Sequence, residues 1–368
     1  MSELTNLSQP FLTEQIITYL GNKRKLLGKI DSVIKDIKYK LDKKYINSFD
    51  GFSGSGVVSR LLKLHSKKLI VNDLEYYCYV LNKCYLANLN KTQIKNIQEK
   101  IDFLNENKKK YKKKGFVEKL YCPKNDNDIK INERVFFTNK NGKIIDNLRS
   151  LINDDDYYSL SSLLFKASVH NNTSGVFKGF YKNTETKKGQ FGGNAQNALQ
   201  RIKKEITLDY PVFSNENNCE IIIKQDNTNL LIKDLNKENL DITYFDPPYN
   251  EHPYGSNYFM LNCIAKNESP KNISKVSGIP KEWNKSEYNK KQEALKSLDE
   301  LIKNTFSKYI ILSYSSEGHI SYDEIENILK KYGKTNIEKI DYSNFKAART
   351  QIAREKIIKE YIFILNKN

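Results

Sequence analysis

The sequence has few residues of the kinds that build disulfide frameworks and zinc sites. Its 368 residues include five cysteines, at positions 78, 84, 122, 219 and 263, and four histidines. The cysteines lack the paired spacing of a zinc site, so we expect no metal and a reduced, cytosolic chain. No apolar run approaches the roughly 18 residues that a membrane span needs, and the first residues, with Glu3 and no basic leader, do not resemble a signal peptide. These absences predict an intracellular, soluble protein.

Positive charge is in excess over negative charge. Lys and Arg total 61 against 44 Asp and Glu, which gives a formal net charge of +17. Such a balance favours a polyanionic partner, although abundant Lys, Asn and Ile are also typical of chains from AT-rich genomes. Composition alone leaves nucleic-acid binding and a merely basic surface as alternatives.

Helix and strand patterns alternate in two separated parts of the chain. Strands are predicted at 45–49, 68–71, 221–224, 242–245, 309–313 and 357–365, and helices at 26–37, 57–64, 293–306 and 322–331. Helices that alternate with short β-branched strands predict a parallel sheet covered on both faces. Residues 91–218 instead interleave amides, aromatics and lysines without a clean core pattern. The sequence therefore predicts one α/β domain, formed by residues 1–90 and 219–368, with an insertion at 91–218.

The most informative motif is Asp246-Pro247-Pro248-Tyr249, which closes one of the predicted strands. Two consecutive prolines fix φ and donate nothing to a sheet, so the turn is stiff and its carbonyls are free to face a ligand. A planar amine could donate one hydrogen to Asp246 and another to the Pro247 carbonyl, while its ring stacks on Tyr249. The alternative is an ordinary strand-ending turn with a core tyrosine.

A glycine-rich turn and further acids follow other predicted strands. Residues 50–56 read DGFSGSG and precede a helix, where free N–H groups suit a carboxylate or phosphate, although the full G-x-G-x-x-G spacing is missing. Asp73 follows the next strand, where nucleotide-binding sheets hold ribose hydroxyls; a helix N-cap is the alternative. Asp226 and Asp246 follow two later strands. Several acids at one sheet edge are hard to attribute to capping alone.

These motifs, taken in order, resemble a known family. Residues 19–27 (YLGNKRKLL) and 52–56 (FSGSG), then Asn72-Asp73, Asp226 and the tetrapeptide at 246–249, resemble the D12, or α, class of adenine-N6 DNA methyltransferases, which includes the Dam enzymes. Residues 137–149, 172–181 and 250–258 resemble its FokI-methylase-type branch. The resemblance implies a Rossmann-like α/β S-adenosylmethionine-dependent methyltransferase sheet, with the target-recognition domain inserted at 91–218.

The resemblance also implies S-adenosyl-L-methionine as methyl donor and assigns site residues to it. Tyr19 and Lys23 would contact its adenine and methionine ends, Asp73 its ribose, and Asp226 its adenine amino group. The residues expected to cradle its methionine are Phe52, Ser53, Gly54 and Gly56, and those expected to form the target pocket are Asp246, Pro247, Pro248 and Tyr249. The sequence departs from the family in Ser53 and Ser55 between the glycines, and in Glu251-His252-Pro253, where the branch usually carries a basic residue.

Target recognition is expected from the insertion. The DNA-contact candidates are Asn171, Asn172, Lys178, Lys182, Gln190 and Asn194. Asn and Gln suit adenine edges, and Lys suits guanine edges or phosphate. For any one of these residues, an exposed loop side chain with no such role is the alternative.

The resemblance implies a site-specific methyltransferase of double-stranded DNA in the cytoplasm of a bacterium, or encoded by a phage. Such enzymes most often accompany a restriction endonuclease that cuts the same site, as in type II restriction-modification systems, although orphan enzymes would have the same sequence features. Alternatives are methylation of RNA adenine or of a protein glutamine, and a DNA-binding regulator without catalysis. Asp246 argues against the glutamine enzymes, which resemble one another in having Asn there, and the intact Gly54, Gly56 and Asp73 argue against an inactive regulator.

Overall fold

A computed structural model describes residues 7–111, 114–173, 175–193, 196, 198–343 and 357–367. Its strands are β1 Ile46–Asp50, β2 Ser66–Asn72, β3 Glu220–Lys224, β4 Leu240–Phe245, β5 Ser307–Ser315, β6 Gly333–Ser343 and β7 Ile357–Lys367. Within these residues, the seven strands form one sheet in the order β3-β2-β1-β4-β5-β7-β6. Strands β1 to β5 pair in parallel, and β7 runs antiparallel to both β5 and β6. The predicted α/β fold class is therefore confirmed.

Helices cover both faces of the sheet. The α-helices are α1 Pro10–Thr13, α2 Leu27–Lys40, α3 Val57–His65, α4 Tyr76–Tyr85, α5 Lys91–Asn107, α6 Phe116–Tyr121, α7 Asn139–Leu151, α8 Tyr157–Val169, α9 Leu199–Lys203, α10 Thr228–Asp234, α11 Tyr254–Asn257, α12 Phe259–Lys266, α13 Lys291–Asn304 and α14 Tyr322–Lys330. Three 3₁₀ turns lie at Arg24–Leu26, Leu235–Lys237 and Glu287–Asn289. Ile242 and Tyr244 of β4 pack with α1, α2 and α3, whereas Phe245 packs with α10, α13 and α14. Every residue of β4 is buried, as expected for a central parallel strand.

A third core joins the predicted insertion to the rest of the chain. Apolar side chains of α5, α7 and α8 pack in one cluster with those of α4 and α12. The expectation that residues 91–218 lack a core pattern is wrong, because Ile97, Ile101 and Leu104 are buried with the i, i+4, i+7 spacing of one helical face. Helices α5, α6, α7 and α8 therefore share a core with α4 and α12.

The strands and helices that were predicted agree with the observed ones to within about three residues at their ends. Strand β6 and several helices, α4 and α10 among them, were not predicted. That strand is outermost in the sheet and its sequence is largely polar. Within the described residues, no helix is both long and apolar enough to cross a membrane. The same residues contain no group of three or more His, Cys, Asp or Glu side chains placed to hold a metal ion.

Arg149 anchors α7 against α12. Its side chain is 3% exposed. Its Nε donates to the Ile264 carbonyl at 2.8 Å, Nη2 to the Ala265 carbonyl at 3.1 Å, and Nη1 to the Ile152 carbonyl at 2.8 Å. One guanidinium therefore satisfies three buried carbonyl groups, two of which end α12.

We expect Arg149→Ala to lower the free energy of unfolding by about 3 kcal/mol, because buried carbonyl oxygens would lose their donors at about 1 to 3 kcal/mol each. Denaturant unfolding followed by circular dichroism measures this change. The control is Lys95→Ala, at a side chain 74% exposed, for which we expect a change within about 0.5 kcal/mol. Equal stability of the two variants would contradict the anchoring role of Arg149.

Candidate active site

A cleft opens at the carboxyl edge of the sheet, beside the paired strands β1 and β4. Strand β2 lies on the far side of β1 and β5 on the far side of β4, so the chain order reverses here, where ligands bind in open α/β sheets. The cleft encloses about 920 Å³, including its open mouth. The predicted site residues that line it are Tyr19, Lys23, Phe52, Ser53, Gly54, Asp73, Asp246 and Pro248. Gly56, Asp226, Pro247 and Tyr249 lie outside this lining.

The glycine turn between β1 and α3 is tightly packed. Gly54 has φ +51° and Gly56 has φ +79°, both in the left-handed region that favours glycine. A Cβ on Gly54 would lie 2.7 Å from Cε1 of Tyr19, and one on Gly56 would lie 2.7 Å from Oδ1 of Asn82. Gly56 therefore allows the backbone conformation of the turn. Gly54 allows the turn to pack closely against Tyr19 at the cleft.

Asp73 fastens this turn to the end of β2. Its Oδ2 accepts the Gly54 N–H at 2.7 Å and its Oδ1 accepts the Glu75 N–H at 2.9 Å. Burial raises the pKa of Asp73 above its ordinary value, although these backbone donors oppose the shift. Each oxygen retains a lone pair for a further donor.

Glu75 is a cleft residue that sequence reasoning missed. It is 3% exposed, and its Oε2 accepts Asn262 Nδ2 at 2.5 Å and Asn284 Nδ2 at 3.2 Å. Burial raises its pKa to about 7. It stands two positions beyond Asp73 and ends no strand, so the search for acids at strand ends could not find it.

Asp50 was also missed as a site residue. It is the last residue of β1, and its place there corresponds to that of Asp246, which directly follows β4. It is fully buried, and its Oδ2 accepts the Ser59 hydroxyl at 2.6 Å. Among the described residues, its Oδ1 has no hydrogen-bond donor. Burial raises its pKa to about 7, and the negative charges of Asp246 and Asp73 add to the shift.

Asp246 shares a buried charge cluster with Lys23 and Glu360. Lys23 is 3% exposed, and its Nζ lies 2.9 Å from Asp246 Oδ1 and 3.8 Å from Glu360 Oε2. The same Nζ donates a hydrogen bond to the Gly21 carbonyl at 3.0 Å. The Lys23 ammonium forms an ion pair with Asp246 Oδ1, and no other donor among the described residues reaches that oxygen. Lys23, predicted at the cofactor's methionine end, therefore also contacts the tetrapeptide. Glu360, on β7, has no motif that would have revealed it.

The charges in this cluster perturb one another. Burial raises the pKa of Asp246 to about 6; the Lys23 ammonium opposes that shift, and Glu360 adds to it. Burial alone would lower the pKa of Lys23, but Asp246 and Glu360 outweigh burial and raise it above its ordinary value.

Aromatic rings form the other wall of the site. Tyr19 stacks on Tyr254 and Tyr258, with ring centroids 4.9 and 5.1 Å apart. The half-buried Tyr249 presents its ring to Tyr314 edge-on at 6.1 Å, and its carbonyl accepts the His319 N–H at 2.8 Å. The tetrapeptide is thereby held from both β4 and the loop after β5.

Asp226 lies at the mouth of the cleft. Its carboxylate is exposed and accepts the Asn227 N–H at 2.7 Å. Asn72 holds this segment, because its Nδ2 donates to the Asp226 carbonyl at 2.9 Å. Asn227 and Thr228, the next two residues, line the cleft.

The predicted DNA-contact residues differ in what they can offer to a ligand. Asn171 is fully buried, and its amide donates to the Ala167 and Ser168 carbonyls and accepts the Thr173 and Gly175 N–H groups. These bonds give Asn171 a role in the loop's shape and leave no donor for a base, so the structure does not support its contact with DNA.

The other candidates lie in the same loop or close to it. Asn172 donates to the Val135 and Gln190 carbonyls, and Gln190 donates to the Gly193 carbonyl at 2.9 Å. Lys182 is half-buried with its Nζ 5.7 Å from the Phe180 ring centroid. Lys178 is exposed, and its Nζ lies 3.0 Å from Nδ1 of His252, just beyond the tetrapeptide. Asn194 lies outside the described residues.

Comparison with known proteins gives consistent matches along nearly the whole chain. The family described as D12 class N6 adenine-specific DNA methyltransferase matches residues 19–340. The type II methyltransferase M.NlaIII of Neisseria lactamica is 31% identical over 95% of this chain and 99% of its own length. M.CviAII of Paramecium bursaria Chlorella virus 1 is 31% identical over 95% and 98%. M.FokI of Planomicrobium okeanokoites is 30% identical over 95% of this chain, which spans 52% of that protein.

We expect opposite shifts of the Asp246 pKa from its two charged neighbours. Glu360→Gln removes a negative charge and should lower that pKa below about 6, whereas Lys23→Met removes the ammonium and should raise it. The ¹³C chemical shift of the Asp246 carboxyl, followed through a pH titration, measures both changes. Lys29→Met, at the exposed pair with Glu338, is the control and should leave the midpoint in place. A shift of the same sign in both charge-cluster variants would contradict the assignment.

Proposed function

Because the chain belongs to the D12 class of N6 adenine-specific DNA methyltransferases, as its motifs predict, we propose that it methylates the N6 amino group of a target adenine in double-stranded DNA, as a site-specific DNA-methyltransferase (adenine-specific). The feature that supports this most directly is Asp246. Apart from the Lys23 ammonium, no donor among the described residues reaches its buried Oδ1, it lines the cleft, and two prolines follow it. That geometry suits an amino group brought in by a substrate.

The cleft suits S-adenosyl-L-methionine as the methyl donor. This molecule supplies an electrophilic methyl group on a positively charged sulfur. Five carboxyl groups line the cleft, at Asp50, Asp73, Glu75, Asp246 and the exposed Glu287, and Asp50 Oδ1 is buried without a donor within the described segments. A cationic ligand would be favoured in such a site because it relieves repulsion among desolvated acids.

We assign the parts of the donor to residues as follows. The turn from Phe52 to Gly54 would hold the methionine portion, with Gly56 acting through the turn's shape. Asp73 and the neighbouring Glu75 would accept hydrogen bonds from the ribose hydroxyls. Tyr19 would cover the adenine side of the cleft, and Asp226 with Asn227 would receive the adenine amino group at the mouth.

The target adenine must leave the DNA stack, because its N6 atom cannot reach the cleft from within a duplex. In the pocket, Asp246 would accept one N6 hydrogen and the Pro247 carbonyl the other, so that the nitrogen lone pair points at the methyl group. Tyr249 would stack on the flipped base, a contact worth about 1 to 3 kcal/mol. Orientation and electrostatics then account for the rate, with no covalent enzyme intermediate.

Asp246 must be ionised to accept a hydrogen bond from the amine. Its pKa of about 6 lies below neutral pH, so the ionised form predominates at pH 7. Lys23 would favour that form and hold the carboxylate in place. After methyl transfer the positively charged N6 atom loses a proton, which Asp246 would accept and pass to water.

We propose that this chain is the modification enzyme of a type II restriction-modification system. M.NlaIII and M.CviAII are named type II methyltransferases, and two further relatives are named modification methylases. The partner would be an endonuclease that cuts the same DNA site.

Methyl transfer from tritium-labelled S-adenosyl-L-methionine tests the function. Duplex DNA, RNA and total protein would be offered in parallel, and methylated adenines in labelled DNA would be located by sequencing. We expect label in DNA alone, as N6-methyladenine in one sequence context. Label in RNA or protein, or on another DNA atom, would overturn the proposal.

We expect Asp246→Ala to lower methyl transfer by about 100-fold or more, the scale of losing one aligned polar group at a reacting centre. Affinity for S-adenosyl-L-methionine, measured by calorimetry, should change only a few-fold. Tyr249→Phe serves as the matched control in the same pocket, since it keeps the ring and should keep most of the activity. Full turnover by Asp246→Ala would remove Asp246 from the mechanism.

We expect Lys178→Ala to weaken DNA binding and to reduce the salt dependence of the affinity by about one unit of slope, as loss of one phosphate contact does. Fluorescence anisotropy of a labelled duplex at several salt concentrations gives that slope. Lys330→Ala, on α14, is a same-charge control. An unchanged slope in Lys178→Ala would mean that this lysine meets no phosphate.

A further inference from the structure

A small hairpin projects from the chain between α12 and α13. We call residues 271–281 the basic hairpin. Ile273 and Pro280 pair as an antiparallel bridge, and the Ser274 N–H donates to the Ile279 carbonyl at 2.9 Å. The Lys281 N–H closes its base by donating to the Asn272 carbonyl at 3.1 Å.

The basic hairpin is anchored from the predicted insertion. The guanidinium of Arg134 donates to the carbonyls of Ser274 at 3.2 Å, Lys275 at 3.1 Å and Val276 at 3.2 Å. The hydroxyl of Tyr121 donates to the Gly278 carbonyl at 2.8 Å. Because its backbone is already held, the hairpin would bind a partner with little loss of conformational entropy.

The surface around the basic hairpin carries an excess of positive charge. The segment 271–285 contains four lysines and one glutamate. The exposed lysines are Lys271, Lys275, Lys281 and Lys285. In the part of the chain that is described, none of these four has a carboxylate within ion-pair distance, whereas Lys330 and Lys331 are paired with Glu326 and Asp299. At the tip, Val276 is 61% exposed between these charges.

The basic hairpin and the loop that carries Lys178 share one support. Arg134 holds the hairpin. The carbonyl of the next residue, Val135, accepts a hydrogen bond from Asn172 Nδ2 at 2.9 Å. The Phe136 carbonyl accepts the Asn172 N–H at 2.8 Å. The chain beyond the hairpin returns to the cleft, where Asn284 donates to Glu75.

We propose that the basic hairpin is a second DNA-contact element, lying outside the 91–218 insertion. Lys271, Lys275 and Lys281 contact phosphates of the duplex that carries the target adenine, and Val276 lies against the groove between them. The proposal rests on the proposed function, because it takes duplex DNA as the partner. Charge complementarity and the support shared with Lys178 favour DNA over any other polyanion.

The triple variant Lys271→Ala/Lys275→Ala/Lys281→Ala tests the charge contribution. We expect at least a ten-fold loss of duplex affinity at low salt and a decrease of about 3 in the salt slope, near 0.9 for each phosphate contact. The matched control removes three charges elsewhere, by Lys296→Ala/Lys330→Ala/Lys331→Ala on α13 and α14, and should keep the wild-type slope. Affinity for S-adenosyl-L-methionine should be unchanged in both, which shows that the cleft is intact.

The tip is tested by Val276→Glu, which adds a negative charge where we expect DNA, with Val276→Ala as its control. Glu should weaken duplex binding by at least ten-fold, and Ala by much less. A wild-type salt slope in the triple variant, or wild-type duplex affinity in Val276→Glu, would overturn the hairpin proposal. The proposed function would still stand if the wild-type protein methylates DNA. Absence of methyl transfer to DNA by the wild type would instead overturn the proposed function.

Discussion

The parallel pairing of β1 with β4 is the constraint on which the rest of the molecule depends. Asp50 lies opposite Tyr244 in that pairing, so the ends of the two strands leave the sheet side by side. The outer neighbour of β1 is β2 and that of β4 is β5, so the connections that follow β1 and β4 lead to opposite sides of the sheet. A crevice therefore opens between the ends of β1 and β4. Asp50 and Asp246 are thereby brought close together, and the negative charge of Asp246 makes Asp50 harder to ionise. No choice of loop could produce this juxtaposition without the strand order.

Such a crowd of buried acids costs stability unless cations accompany it. The protein provides one, Lys23, which comes from a segment before β1 and lies between Asp246 and Glu360. A fixed ammonium favours the ionised form of Asp246 at neutral pH. The carboxylate is thus held in place, and no other donor among the described residues occupies Oδ1, which leaves room for a substrate amine. Glu360 moderates this effect, since its negative charge opposes that of the lysine.

The sheet and two acids of the cleft, Asp73 and Asp246, could be predicted from sequence because they depend on local patterns. Short β-branched strands and the acids that follow them are readable within windows of about eight residues. Glu360 could not be predicted, since its place beside Lys23 arises from pairing between distant parts of the chain. The insertion's core was missed for another reason: the spacing of Ile97, Ile101 and Leu104 was readable, but abundant Lys and Asn around it obscured it. Asn171 illustrates the opposite error, because a loop amide that suits a base edge equally suits the buried carbonyls of its own loop.

Lys23 and Glu360 meet at Asp246 although 337 positions of chain numbering separate the first from the second. The site is therefore defined by which strand ends converge, and the order in which the chain visits them is immaterial to its chemistry. A circularly permuted chain, reopened in an exposed loop such as residues 184–187, could retain every contact of the cleft. Evolution could in the same way reorder the cofactor and target motifs of such enzymes along the gene and keep one active site.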